Sequence, residues 1–181
     1  MATEAYGTPQ PARLFFALWP PGEVAGALHR LAGAMVGRSG GRLLRPESFH
    51  LTLAFLGEVP ERRLAELREL ADGLRLPPVD VCLDRLGYWK HNQILWAGSR
   101  EPAPALAALA ATLQEKLLAA GFLTEVRPLV PHVTLLRKIL HPGELPDLGP
   151  FAWRAGELVL ARSWRSDRGA AYDAIARWPL A

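Results

Sequence analysis

His50-Leu51-Thr52-Leu53 recurs further along the chain as His132-Val133-Thr134-Leu135, each copy behind a proline-containing segment and opening an apolar run. Histidine titrates near neutrality, so a pair can hold one neutral and one charged ring and act as base and acid together. Threonine hydroxyls beside them are donors suited to orienting an anion. In a strand, positions i and i+2 share a face, so His50 and Thr52 point one way while Leu51 and Leu53 point into the core. His132 and Thr134 repeat the arrangement. With the two copies on neighbouring strands at the centre of a pseudo-symmetric sheet, two imidazoles and two hydroxyls converge on one groove floored by apolar packing. A lone strand histidine is ordinarily a packed or partly exposed side chain, and it is the repetition that points to chemistry. His29, on a helix, and His91 and His141, in loops, read as surface residues.

The elements that must carry these motifs are short. Leu14 to Trp19 is an apolar run stopped by Pro20 and Pro21 and reads as a buried strand, and Val24 to Val36 follows with helical spacing. Phe49 to Phe55 alternates as a strand, and Pro60 to Leu74 places Leu64, Leu67, Leu70 and Ala71 on one helical face. Strands are expected at Val79 to Leu83 and Ile94 to Ala97, a helix from Pro104 to Ala120, and strands at His132 to Leu136, Leu158 to Ala161 and Tyr172 to Trp178. This interspersed order, with a hairpin-like pair at Asp80 to Leu83 and Ile94 to Ala97, predicts antiparallel pairing in an α+β fold. Met1 to Ala12 has no periodicity and reads as a mobile lead-in, leaving residues 13–181 as a single domain.

Composition bounds the rest. Of the 181 residues half are hydrophobic, which excludes overall disorder and provides for a sizeable core. Sixteen glycines and sixteen prolines imply many turns, not long bundles. A single cysteine, Cys82, rules out an intramolecular disulfide and is the usage of a reducing cytoplasm. No apolar stretch is long enough to span a membrane, and the N-terminal segment lacks the apolar centre of a signal peptide. The net charge of +3 permits an anionic partner without the density of a non-specific nucleic-acid coat.

The two copies in context, RPESFHLTLAFLGEV and RPLVPHVTLLRK, together with RLFFALWPP, ILWAGS and YDAIARWPL, resemble the two-histidine (2H) phosphoesterase superfamily. Within it they resemble the RNA 2′,3′-cyclic phosphodiesterase, or 2′-5′ RNA ligase-like, branch. The resemblance spans nearly all of Arg13 to Ala181. It implies a bilobal, pseudo-symmetric fold of two antiparallel sheets with flanking helices and a central cleft. It further implies hydrolysis of RNA 2′,3′-cyclic phosphate ends to 2′-phosphates, with minor 2′-5′ ligation, and no metal or cofactor. His50 is then the proton donor and His132 the proton acceptor, a division that the near symmetry of the sequence does not itself decide. Thr52, Thr134 and Arg137 hold the phosphate.

Strand parity puts Arg137 on the face opposite His132 and Thr134, so its place in the site requires a bulge or a strand end. Phe16, Trp19, Phe49, Trp96 and Trp164 are the aromatic candidates for base stacking, and Arg42, Arg45, Arg162, Arg165 and Arg168 the basic candidates for the phosphate backbone. The expected partner is RNA with a cyclic phosphate end or a small cyclic nucleotide, bound by a cytoplasmic monomer. Other readings are a 2H enzyme acting on small cyclic nucleotides or 2′-5′ oligoadenylates, or a binding module without turnover. Metal ligation by His50 and His132 is disfavoured because no acidic or cysteine residue joins either motif at ligand spacing.

Overall fold

In the computed structural model of the chain, which describes residues 12–125, 129–166 and 169–181, the first apolar run forms strand β1 (Ala12–Leu18). Leu14, Phe16 and Leu18 enter the main core from one face, while Phe15 and Ala17 occupy the other in a small cluster with Ala161. The lead-in expected before Arg13 lies outside the described residues except for Ala12. Proline cannot donate to a ladder, so Pro20 and Pro21 end the strand. Helix α1 (Gly22–Ser39) follows and buries Leu28 and Ala32.

Strand β2 (Arg42–Leu43) and a 3-10 turn at Pro46–Ser48 lead into β3 (Leu51–Val59), which carries the first motif. The helix expected over Pro60 to Leu74 is a 3-10 turn, Glu61–Arg63, continued by α2 (Leu64–Asp72). After β4 (Val79–Leu83), β5 (Arg85–Trp89) and β6 (Ile94–Gly98) comes α3 (Pro104–Ala119). The chain finishes with β7 (His132–Arg137), β8 (Phe151–Ala155), β9 (Glu157–Ser166) and β10 (Gly169–Pro179).

One sheet runs β10-β9-β1-β3-β7-β6-β5, with β2 also on β7, and a second pairs β4 with β8. Every pairing is antiparallel. The large sheet consists of two related halves, β10-β9-β1-β3 and β7-β6-β5 with β2, joined where Leu51 faces Val133. Leu28 of α1, Leu67 of α2 and Leu113 of α3 share one core with Leu51, Leu53, Val133 and Leu135. The helices therefore cover the face towards which the leucines and valine between the motif residues point. His50, Thr52, His132 and Thr134 have the other face. Among the described residues no helix is long and apolar enough to cross a membrane.

The expected hairpin between Asp80 to Leu83 and Ile94 to Ala97 does not form. β6 pairs with β5, which sequence patterning misses, and β4 pairs with the distant β8. At Asp84 the chain passes from the small sheet to the large one, its amide donating to the Gly98 carbonyl at 2.9 Å. Glycine at 87 dilutes the local strand pattern, and tertiary packing demands it: a Cβ there would stand 2.1 Å from the Trp96 ring. His29 is likewise not a free surface residue, being half-buried in α1 with its ring 6.3 Å from that of Phe49. His91 and His141 are exposed.

Candidate active site

The pair Leu51↔Val133 sets the centre residue of one His-x-Thr opposite the centre residue of the other. Counting outward in an antiparallel register, His50 lies across from Thr134 and Thr52 across from His132. A local two-fold thus relates the motifs, and the four polar side chains share one face.

Just past its motif each strand takes one extra residue, and β3 takes a second one further on, at Leu56. Phe16 faces Ala54 while Ala17 faces Thr52, so Leu53 is bulged. Leu95 faces Leu136 while Trp96 faces Thr134, so Leu135 is bulged. Burial records both bulges as consecutive inward residues, Leu53-Ala54 and Leu135-Leu136. A bulge reverses the alternation beyond it. The fifth residue after each histidine consequently returns to the histidine face, and it is Phe55 in the first copy and Arg137 in the second. Simple parity assigns Arg137 to the wrong side, and the bulge at Leu135 is the reason. At Lys138 the backbone turns into the left-handed region, φ 62°, and the strand stops.

The histidines are held alike. His50 Nδ1 donates to the Ser48 carbonyl and His132 Nδ1 to the Val130 carbonyl, each at 2.8 Å. A carbonyl only accepts, so both Nδ1 atoms carry a proton in every charge state, and Nε2 is left as the exchanging atom facing the cleft. Around His50 stand Phe15 with ring centroids 4.8 Å apart, Trp19 at 5.1 Å and Tyr172 at 4.7 Å. Around His132 stand Trp89 at 4.6 Å and Trp96 at 6.3 Å. These rings strip water from the imidazolium form. Burial, opposed by the Ser48 carbonyl and assisted by the charges of His132 and Arg137, pushes His50 down to about 4. Burial also holds His132 below its usual value, against the Val130 carbonyl and with Arg137. Arg137 thus acts on both rings, and its own Nε is buried without a hydrogen-bond partner among the described residues.

Of the aromatic candidates, Trp19 and Trp96 stand beside the histidines. Phe16 and Phe49 are fully buried in the core. Trp164 and Arg162 fall on the opposite face of β9 from Ala161, which packs with Phe15, so parity removes both from the site. Arg42 faces Arg137 across β2 and β7, and Arg45 lines the same cavity. The side chains of Arg165 and Arg168 lie outside the described residues. Phe15, Trp89 and Tyr172 were missed. The alternation Phe15-Ala17-Trp19 was the available signal for the first, whereas the other two reach the site from distant strands and left none. Among the described residues no group of three or more His, Cys, Asp or Glu is placed to hold a metal ion.

The chain and its fold have known counterparts. Residues 18–96 match the family model described as LigT like phosphoesterase. The chain is 33% identical over 173 residues to the RNA 2′,3′-cyclic phosphodiesterase of Escherichia coli strain K12, covering 94% of this chain and 98% of that protein. It is 32% identical to the enzyme of the same name from Thermus thermophilus, covering 93% and 90%. The crystal structure of E. coli LigT complexed with 3′-AMP superposes with a TM-score of 0.87 at 32% identity, covering 94% of this chain and 99% of that one.

Proposed function

This chain belongs to the LigT-like phosphoesterase family of the 2H superfamily, and from that premise we propose that it is an RNA 2′,3′-cyclic phosphodiesterase. The observation that carries the reading is the pair of histidines fixed at Nδ1 and facing one cleft through Nε2. A cyclic phosphate on the ribose is a strained diester. His132 Nε2 takes a proton from water as the water oxygen bonds to phosphorus, the P–O3′ bond breaks, and His50 Nε2–H supplies the proton that O3′ needs. Phosphorus stays on O2′. Thr52 and Thr134 donate to the non-bridging oxygens, where charge grows in the transition state, and Arg137 balances that charge. The 3′-AMP complex of the E. coli relative supports a cleft that accepts a ribose-borne phosphate. The working unit is one domain from Arg13 to Ala181, a cytoplasmic monomer that needs no metal or cofactor.

Incubating the purified protein, in chelator, with RNA bearing a 2′,3′-cyclic phosphate tests this. The expected product is a 2′-phosphate end, with a trace of 2′-5′ joined strands when concentrated 5′-hydroxyl RNA competes with water. A 3′-phosphate or a 3′-5′ junction would reverse the assigned roles, and activity lost on chelation and restored by metal would replace the mechanism.

The rate should follow a bell in pH whose position reports the buried dyad. The reactive arrangement, His50 protonated and His132 neutral, is one tautomer of the singly protonated pair, and in the free enzyme that pair is most populated between about 4 and a value below 6.5. The optimum of kcat/KM should lie on the acid side of 6.5. Bound phosphate favours the imidazolium form, so the bell of kcat should sit at higher pH. Initial rates from pH 3.5 to 9 check both, and a kcat/KM that climbs to a plateau above 7.5 contradicts the description.

A further inference from the structure

Beside the dyad lies a cavity of about 290 Å³, lined by Arg42, Leu43, Leu44, Arg45, Ser48, Arg137 and Ala170. It begins where the histidine cleft ends. Arg137 belongs to both, and Ser48, whose carbonyl fixes His50, is part of its wall. Among its described lining residues there is no carboxylate and no aromatic ring. The rings stand instead around the two histidines. Arg42 and Arg137 are paired directly across β2 and β7, an arrangement that like charges disfavour. The backbone enforces it: Gly41 has φ 87°, and a Cβ there would meet Ile139 Cγ1 at 2.7 Å and the Arg137 carbonyl oxygen at 2.9 Å. β2 is therefore seated against the end of β7 more closely than any side-chain-bearing residue at 41 would allow.

A cyclic phosphodiester carries one negative charge, and three arginines lining one cavity fit two phosphates better than one. Absence of rings suits the cavity to backbone and not to a base. On an RNA end, the phosphate one ribose away from the 2′,3′-cyclic group is the 5′-phosphate of the same nucleotide. We infer that this cavity receives that 5′-phosphate, so the protein selects the end of an RNA chain over a lone nucleoside cyclic phosphate. The inference rests on the phosphodiesterase reading above and deepens it.

Two matched comparisons test it. The first is kcat/KM at low salt for one nucleoside 2′,3′-cyclic phosphate with and without a 5′-phosphate. The second is calorimetric affinity for the nucleoside 2′,5′-bisphosphate against the 2′-monophosphate. The native protein should prefer the 5′-phosphorylated member by about tenfold or more in each, chiefly through KM in the first. Arg42→Gln and Arg45→Gln should each bring both ratios towards one and reduce the salt slope of binding by about one. Arg45 is exposed, so its variant reads the site even where Arg42→Gln folds poorly. Arg154→Gln, which removes the same charge from the exposed pair with Asp80 on the small sheet, should leave the ratios as they are. Turnover of both cyclic compounds at equal efficiency, or ratios untouched in the Arg45 variant, overturns the subsite and spares the phosphodiesterase. Preferential binding of the bisphosphate without turnover supports the subsite and overturns the phosphodiesterase.

Discussion

Replacing His50 or His132 with alanine should lower turnover of a cyclic phosphate end by about 10²- to 10⁴-fold, and the double variant should be little slower than either single one. General acid–base catalysis by a placed side chain contributes on the order of 10²- to 10⁴-fold. Groups that act in one proton transfer chain fail together, so their losses do not add. Asparagine sharpens the test. Its amide nitrogen reaches the place of Nδ1 and can keep the hydrogen bond to the Ser48 or Val130 carbonyl, but nothing occupies the position of Nε2. His50→Asn and His132→Asn should therefore be as slow as the alanine variants while holding the loop carbonyls. Far-UV circular dichroism and thermal unfolding establish that each variant folds, and steady-state rates give the result. Near-native turnover in either folded single variant removes that histidine from the reaction.

The groove of histidines and threonines was legible because its cause is local. His-x-Thr on a strand fixes which side chains share a face, and two copies with apolar residues between them already state that both strands have one buried side. The resemblance named Arg137 and strand parity demanded a bulge or a strand end, but the bulge itself was not legible, because it depends on Leu135 being set against Leu95 and Trp96, residues about forty positions away in the chain. The same limit hid β5. Its glycine weakens the strand pattern locally but exists to admit the Trp96 ring, which lies on the neighbouring strand. Pairing of β4 with β8 joins segments on opposite sides of α3, and no periodicity in either names the other. Of the aromatic wall, Phe15 follows from the alternation in β1. Tyr172 and Trp89 arrive only when each half of the sheet is assembled, Tyr172 from β10 towards His50 and Trp89 from β5 towards His132.

The assembled halves also expose one break in the local two-fold, and it predicts the effect of a single substitution. Phe55 and Arg137 occupy equivalent positions, each five residues after its histidine and brought to the same face by its own bulge. Arg137→Phe makes the two copies alike. The fold already accommodates phenylalanine at the related position, where Arg13 lies over the ring at 5.3 Å, so the variant should fold. Its turnover should fall by about 10²- to 10³-fold, the scale of losing one preorganised donor at developing phosphoryl charge. Two observables separate this from mere disruption. Arg137 holds both histidines down through its charge, so its removal lets both rise, and both limbs of the kcat/KM bell should move to higher pH. Arg137→Lys keeps the charge but not the planar fork, and should retain the acid-shifted bell while recovering only part of the rate. If Arg137→Phe kept full turnover with an unmoved bell, the charge at this position would have no part in the reaction, and the hydroxyls of Thr52 and Thr134 would carry the phosphate without it.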